Sequence, residues 1–375
     1  MLEIKDKNNC CGCSACVSIC PRQCITMQQD EEGFPYPSID LDKCIDCHLC
    51  EKVCPELNSN SGTLPVKTLA AYNKNIQIRN ISSSGGIFTL IAESILNDNG
   101  IVFGASFDRE WKVRHVYIEN IEDLSGLRGS KYSQSVIGDC FSKAKEFLDS
   151  GRKVLFSGTP CQIAGLKNYL KKDYENLLTM DVVCHGVPSP MVWQKYLESL
   201  EAKVTSVSFR NKEKSWKNYR VKISSAGNES NVVDEEFLQN RFMQVFLSDL
   251  SLRSSCYTCK SKSGSSGSDI TLGDFWGIDK IEPKIDDDQG MNLVLINTEK
   301  GNKFLEDINC ESFIEPYSEA IKYNPAIISA VNKPCYRDLF MTLCRVKGFD
   351  KAYKTIFDPG IRSKIKRRLL SIKFG

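Results

Sequence analysis

The chain has 375 residues, of which 41% are hydrophobic and 26% charged, the balance of a globular protein with sizeable cores. Its 49 basic and 47 acidic side chains leave a net charge of +2, too weak a field to predict nucleic-acid binding. No segment approaches the roughly 18 consecutive apolar residues of a spanning helix, and the polar start lacks an apolar signal segment. We therefore expect a cytoplasmic protein that does not span a membrane.

Cysteine is the unusual feature of the composition, with 18 in the chain and ten in its first 54 residues. In a reducing cytosol so many thiols predict metal binding or catalysis rather than disulfides. Eight of the ten form two copies of the spacing C-x2-C-x2-C-x3-C-P, offset by 34 positions at every member, which indicates an internal duplication. The copies are Cys10, Cys13, Cys16, Cys20 and Cys44, Cys47, Cys50, Cys54.

This spacing is typical of proteins that carry two iron–sulfur cubes, because the fourth cysteine of each copy ligates the other cluster. We therefore expect one [4Fe–4S] cluster on Cys10, Cys13, Cys16 and Cys54, and a second on Cys44, Cys47, Cys50 and Cys20. Zinc sites use C-x2-C pairs too, but they do not require two sets of four that end in Cys-Pro. Residues 1–60 are predicted to be one small domain, and up to about residue 58 they resemble the bacterial two-cluster ferredoxin. Cys11 and Cys24 fall outside the pattern and are predicted to be buried spectators.

A linker is predicted at 58–65, followed by a larger domain over 65–330 in which strand-like and helix-like segments alternate. Such alternation favours a mostly parallel sheet covered by helices, so the fold class is α/β, or α+β with the small domain included. Serine and glycine at 261–268 predict a mobile loop. The predicted elements are a helix at 81–100, strands at 101–108 and 113–118, a strand, turn and helix at 152–172, a strand at 177–183, strands at 204–210 and 218–224, a helix at 237–250, and a strand and helix at 291–308.

Two loops open helices in a way that suits phosphate, since a helix N-terminus presents unpaired N–H groups and a partial positive charge. A third segment adds two cations, a glycine and an aromatic ring. Helix caps and solvated charges explain such residues more often than ligands do, and no G-x-G-x-x-G or Walker A motif occurs in the chain. The candidate binding residues are Ser83, Ser84, Gly85 and Gly86; Arg128, Gly129, Ser130, Lys131 and Tyr132; and Ser157, Gly158 and Thr159.

Four further cysteines stand where predicted loops or element ends meet one edge of the sheet: Cys161, Cys184, Cys256 and Cys259. Together they would supply the four thiolates of a third cluster. From the spacing alone, a zinc half-site, a redox pair at 256–259 or ordinary core cysteines remain open.

The motifs SSSGG, LRGSKYSQS, LFSGTPCQIAGLK, VVCHGVPSP, CYTC and DITLGDFWG occur in this order between about residues 65 and 300. Together they resemble the beta subunit of coenzyme F420 hydrogenases and dehydrogenases, in the form that has a two-cluster ferredoxin fused in front. The resemblance implies FAD bound by the three candidate loops, and a third [4Fe–4S] cluster nearby on the four further cysteines. It also implies hydride exchange with the deazaflavin F420 and electron transfer to a ferredoxin or partner subunit.

Residues 331–375 are predicted to be a helical extension whose tail, 359–375, holds six basic and no acidic side chains. The leading interpretation of the whole chain is an iron–sulfur flavoenzyme that uses an F420-like hydride carrier and a redox partner protein, with no nucleic acid involved. The alternatives are an electron-transfer subunit without catalysis, and a zinc-stabilised interaction protein.

Overall fold

The computed structural model describes residues 6–226, 231–358 and 360. Apart from Gly360, the basic tail predicted at 359–375 lies outside these residues. Within the described part of the chain, no helix combines the length and the apolar character that crossing a bilayer requires.

Strands and helices alternate along most of the chain, as the sequence predicts. The strands are β1 Ile25–Gln29, β2 Pro35–Ile39, β3 Lys67–Asn73, β4 Ile101–Phe107, β5 Val113–Ile118, β6 Val154–Gly158, β7 Leu177–Val182, β8 Val204–Asn211, β9 Arg220–Ser225, β10 Val233–Glu236, β11 Ile270–Asp274, β12 Asn292–Ile296 and β13 Cys310–Ile314. The helices are α1 Ala15–Ile19, α2 Leu49–Lys52, α3 Ile76–Ile81, α4 Ile87–Asn97, α5 Cys140–Asp149, α6 Pro160–Leu170, α7 Pro190–Glu198, α8 Arg241–Leu247, α9 Ile278–Ile281, α10 Glu299–Glu306, α11 Tyr317–Lys322, α12 Arg337–Lys347 and α13 Phe349–Phe357. Short 3-10 turns lie at Lys7–Asn9, Ile121–Gly126, Ser254–Thr258, Pro283–Ile285 and Pro325–Ile327.

The duplication of the cysteine loops extends to the backbone. Gly12 and Ser14 of the first loop have φ of +72° and +66°, and Asp46 and His48 of the second have +50° and +57°. These left-handed positions repeat at the same offset as the cysteines, so both loops curl in the same way before α1 and α2. The antiparallel hairpin of β1 and β2, with Ile25 opposite Ile39, joins the two halves.

An eight-stranded sheet forms the centre of the larger unit, in the order β13-β3-β12-β11-β7-β6-β4-β5. Its central strands β11, β7, β6 and β4 run parallel, whereas β13, β3, β12 and β5 pair antiparallel with their neighbours. The α/β class is confirmed, but the sheet is mixed rather than mostly parallel. A hydrophobic segment indicates that a strand is buried, but it gives no information on the direction in which the strand runs. The sequence pattern therefore did not predict the reversed outer strands.

The cysteine-rich unit packs into the cores of the larger one. Cys11, Cys13 and Ala15 share a hydrophobic core with Phe141 of α5 and Leu166 of α6. On the other side of the hairpin, Phe34 enters a second core formed by α7, α8, α12, α13 and the antiparallel sheet β10-β9-β8. The first cysteine loop and the hairpin turn are therefore positioned by the packing of the larger unit.

Residues 261–268, predicted to be a mobile loop, are packed instead. Ser266 and Ser268 are buried, and the Ser266 hydroxyl donates to the carboxylate of Asp181 at 2.5 Å. The Lys167 ammonium donates to the carbonyl of Gly267 at 2.6 Å. Serine satisfies buried polar atoms as readily as it solvates a linker, so composition alone was a poor guide here.

Candidate metal centres and flavin site

The structure brings Cys54 close to the first three cysteines of the first copy of the cysteine motif. Burial, together with the nearby charges of Cys10 and Cys54, raises the pKa of the Cys16 thiol to about 12. A hydrogen bond with Cys11 lowers the pKa of Cys13, but burial and the charges of Cys16 and Cys54 outweigh it, so this pKa is also raised. A thiolate is stable in such a place only beside a compensating positive charge, which iron would supply. We call Cys10, Cys13, Cys16 and Cys54 the inner set.

The remaining cysteines of the duplication line one cavity, which also contains Pro21, His48 and the spectator Cys24. We call them the outer set: Cys20, Cys44, Cys47 and Cys50. Cys47 is exposed, so this set is reachable from solvent. Cys24 is buried as predicted, but its Sγ lies only 3.3 Å from that of Cys20, so it belongs to the surroundings of the outer set.

The four further cysteines also converge, and we call them the third set. Cys161 lies in the first turn of α6, Cys184 follows β7, and Cys256 and Cys259 stand in and after the 3-10 turn Ser254–Thr258. Burial raises the pKa of Cys184 to about 12, while that of Cys256 is raised by burial and by the charges of Cys184, Cys161 and Cys259. The backbone N–H of Val187 points to Cys256 Sγ at 3.4 Å.

Cys11 connects the inner and third sets. Its thiol is buried and interacts with the thiols of both Cys13 and Cys161, and the side chain of Glu56 also reaches it. The prediction that Cys11 is buried is correct, but the prediction did not place it between the inner and third sets. No spacing rule identifies Cys11, because the contact depends on how α6 packs against the first loop.

The donor chemistry fits iron–sulfur cubes. All eighteen cysteines lie among the described residues and are free thiols. Within that same part of the chain, no three His, Cys, Asp or Glu side chains are spaced to hold a single metal ion. Cysteine thiolates are the ligands that hold iron–sulfur clusters, so each set of four thiols suits one [4Fe–4S] cluster.

Two of the three candidate phosphate loops meet at the start of α4. The backbone N–H and the hydroxyl of Ser130 contact the Ser83 hydroxyl at 2.8 and 3.1 Å. Arg128 Nε donates to the Thr89 hydroxyl in the first turn of α4 at 3.1 Å. Gly86, at the N-cap, has no side chain to accept from that turn, and the N–H of Ile87 donates to Asn292 Oδ1 at 3.1 Å. A phosphate at this end of α4 could bind the N–H groups that follow Ile87.

The same loop is also tied to the sheet. The Ser84 hydroxyl donates to the carbonyl of Met291 at 2.8 Å, and a Cβ on Gly85 would come within 2.5 Å of the Ala71 carbonyl oxygen. From the opposite side, the buried ammonium of Lys212 donates to the carbonyl of Ser84 at 2.6 Å and to two other carbonyls. Ser84 and Gly85 thus hold the loop in place, and sequence reasoning missed Lys212.

The third candidate loop is closed by its own helix cap. Thr159 forms a capping box with Gln162, and its hydroxyl lies 3.3 Å from Cys161 Sγ. Ser157 is buried and donates to the carbonyl of Phe103 at 2.8 Å, and Gly158 packs beside Gln162. This loop therefore contacts the third set through Thr159, while Ser157 is bonded to the sheet.

Lys131 and Tyr132 complete the second loop. The Lys131 ammonium donates to the carbonyls of Leu127, Arg128 and Gly129, and burial lowers its pKa to about 7. The Tyr132 ring packs against Phe209 and Phe246 at centroid distances of 5.2 and 4.8 Å. Gly129 has φ of +83° and open space around it, which leaves room beside the start of α4.

Family comparisons agree with this geometry. Residues 68–139 match the family model for the N-terminal part of the coenzyme F420 hydrogenase/dehydrogenase beta subunit, and residues 151–319 match the model for its C-terminal part. The chain belongs to this family. Residues 9–57 match a 4Fe-4S dicluster domain, which supports [4Fe–4S] clusters in the cysteine-rich part of this family member.

Two curated relatives carry names that refer to F420. The coenzyme F420-dependent sulfite reductase of Methanocaldococcus jannaschii is 24% identical over 316 residues, which cover 80% of this chain and 46% of the relative. One component of the F(420)H(2) dehydrogenase of Methanosarcina mazei is 22% identical over 169 residues, 43% of this chain and 48% of the relative. The chain thus spans about half the length of each of these relatives.

Among solved structures, a chain of the F420-reducing [NiFe] hydrogenase complex from Methanosarcina barkeri superposes with a TM-score of 0.46 and 19% identity. The match covers 80% of this chain and 94% of that one.

Proposed function

We propose that this family member is an iron–sulfur flavoprotein that moves electrons between an F420-like hydride carrier and a redox partner protein. The observation that carries the proposal is the contact chain from Cys13 through Cys11 to Cys161, which joins a two-cluster unit to a third set of four thiols. A structural zinc site does not require a second set of thiols in contact with it. Electron transfer does require redox centres that lie close to one another.

The three sets lie in an order that suits passage from surface to interior. The outer set includes the exposed Cys47, and the exposed side chains of Leu41 and Ile45 beside it offer a partner protein an apolar contact. The inner set is buried against α6, and the third set lies at the start of that helix. We therefore assign partner docking to the outer set and the hydride carrier to the opposite end of the series.

FAD is the group proposed for that opposite end. Its diphosphate would lie at the start of α4, where Ser83, Arg128 and Ser130 converge, and Tyr132 would limit access of water to the ring system. When bound, FAD exchanges electrons in pairs while clusters carry them singly, which is why this family member needs both. Thr159, whose hydroxyl lies 3.3 Å from Cys161 Sγ, would connect the flavin site to the third set.

Iron analysis of anaerobically reconstituted protein tests the metal part. We expect about twelve iron atoms per chain, from three four-iron clusters. Cys256→Ser should reduce the count to about eight, because it removes one thiolate of the third set. Cys335→Ser is the matched control, since Cys335 is exposed and outside the three sets, and it should leave the count unchanged. A zinc-filled protein without sulfide, or an unaltered count in Cys256→Ser, would contradict the assignment.

Flavin titration tests the catalytic part. FAD should bind with quenched fluorescence, and Ser130→Val should weaken binding by about tenfold because it removes the hydroxyl that meets Ser83. Stopped-flow reduction of the FAD-loaded protein by F420H2, NADH or reduced ferredoxin then identifies the carrier. A protein that holds its clusters but no flavin would be an electron-transfer subunit without catalysis.

A further inference from the structure

Arg253 is a fully buried cation between the inner and third sets. Its Nε donates to the carbonyl of Cys10 at 2.7 Å, and its Nη1 donates to the amide oxygen of Gln134 at 3.0 Å. Its Nη2 donates to the carbonyl of Pro35 at 3.0 Å and points to Cys10 Sγ at 3.5 Å. Its own carbonyl accepts from the backbone N–H of Cys256, a ligand of the third set.

Every hydrogen-bond acceptor of this guanidinium is neutral except the Cys10 sulfur. Among the described residues, no carboxylate lies within 4.0 Å of its nitrogens, and the buried carboxyl of Glu56 interacts with it only at longer range. Burial of a cation without a directly paired carboxylate is costly. Three other buried arginines each have a two-pronged carboxylate partner instead: Arg79 with Asp287, Arg210 with Asp274 and Arg337 with Glu32.

The surroundings of Arg253 also keep water away. The guanidinium lies over the Tyr36 ring at 4.1 Å and near the Phe34 ring at 5.5 Å. Gly12 has φ of +72°, and a Cβ there would come within 2.9 Å of Arg253 Nη1. The cysteine loop is thus closed tightly around the cation, and in such a dry environment its charge acts strongly on a neighbouring anion.

We infer that Arg253 is a positioning residue for the inner set, which supplies the counter-charge of the cluster that Cys10 binds and raises its reduction potential. The inference rests on the proposed function, because it requires a cluster on the inner set. One-electron reduction of that cluster adds one negative charge, and a fixed cation with an N–H group aimed at a ligand sulfur stabilises the reduced form. The outer set includes the exposed Cys47, so solvent can compensate the charge of a cluster there without this arginine.

Redox titration of the full chain, followed by paramagnetic resonance, tests the inference with Arg253→Gln and Arg253→Lys. The signal of the outer set is identified as the one that changes in Cys47→Ala. In Arg253→Gln, the ratio of reduced to oxidised inner cluster should fall about tenfold at a fixed potential, equivalent to about 59 mV for one electron. Arg253→Lys keeps the charge but not the contacts, so its shift should be smaller and in the same direction.

The matched control is Lys260→Gln, which removes a half-exposed cation that interacts with Glu56 near the inner set. It should change the inner potential little, because solvent screens that charge. If Arg253→Gln does not retain iron, Arg253→Lys decides the question. Unchanged inner potentials in variants that retain their iron would overturn the inference and leave the proposed function standing. A wild-type protein without an inner cluster would overturn the proposed function itself.

Discussion

Gly165 of α6 lies directly against Cys13, since a Cβ on Gly165 would come within 2.9 Å of both Cβ and Sγ of Cys13. The backbone of Gly165 is ordinary helix, so it is the lack of space that requires glycine here. Because α6 also carries Cys161, one helix packs against the inner set and positions a thiol of the third set. The separation of the two sets is therefore fixed by this contact.

Gly165→Ala should destabilise the protein by roughly 1–3 kcal/mol, the usual cost of overpacking a core. This loss runs against helix propensity, which favours alanine over glycine by about 1 kcal/mol. The measurement is anaerobic thermal unfolding together with iron content. Gly126→Ala is the control, because its Cβ would meet only the Ser106 hydroxyl at an ordinary 3.5 Å. Equal melting temperatures for the two variants would show that the first loop yields easily.

The carboxylate of Glu32, in the turn between β1 and β2, should matter far more than that of its neighbour Glu31. Glu32 accepts two hydrogen bonds from the buried guanidinium of Arg337, at 2.5 and 2.6 Å. Glu32→Gln removes the two-pronged partner of that cation and leaves it only the 3.3 Å contact with Asp338, so it should cost up to roughly 3–5 kcal/mol of unfolding free energy. Glu31 pairs with Arg345 on the surface, so Glu31→Gln should cost less than about 1 kcal/mol. Anaerobic denaturant titration measures both losses of unfolding free energy. Similar losses in Glu32→Gln and Glu31→Gln would contradict the prediction.

The sequence predicted local features of the fold and the site well, and it did not predict contacts between distant segments. The cysteine spacing encodes the ligand loops themselves, and the repeated left-handed residues show that it also encodes their backbone. Arg253 and Cys10 are 243 positions apart, and no pattern within either segment indicates that they meet. The same holds for the contact of Lys212 with Ser84 and for the reversed direction of β12, because tertiary packing decides both.

Lys212→Met tests whether the hydrogen bonds of the Lys212 ammonium stabilise the loop before α4. The Lys212 ammonium donates to the carbonyls of Ser84, Arg79 and Gln289, so methionine leaves three buried acceptors without this donor. We expect a lower melting temperature, from a loss of at least about 1–3 kcal/mol, and a tenfold rise in the Kd for FAD. The exposed Lys214 is the control, and Lys214→Met should change neither quantity. Unchanged melting of Lys212→Met would indicate that the loop is stable without the ammonium.

His115 should make stability depend on pH, although it contacts none of the three cysteine sets. Its ring is buried between the Ser135 hydroxyl at 2.6 Å and the Ser157 carbonyl at 2.9 Å, so Nε2 donates and Nδ1 accepts. Burial lowers its pKa to about 4, whereas an unfolded histidine titrates near 6.5. Between these values only the unfolded chain binds the proton, so the unfolding free energy should fall by roughly 1.4 kcal/mol per pH unit below 6.5. Anaerobic melting from pH 7.5 to 5.5 should show this slope in the wild type and a smaller one in His115→Gln, which cannot titrate. An identical slope in both proteins would mean that other groups cause it.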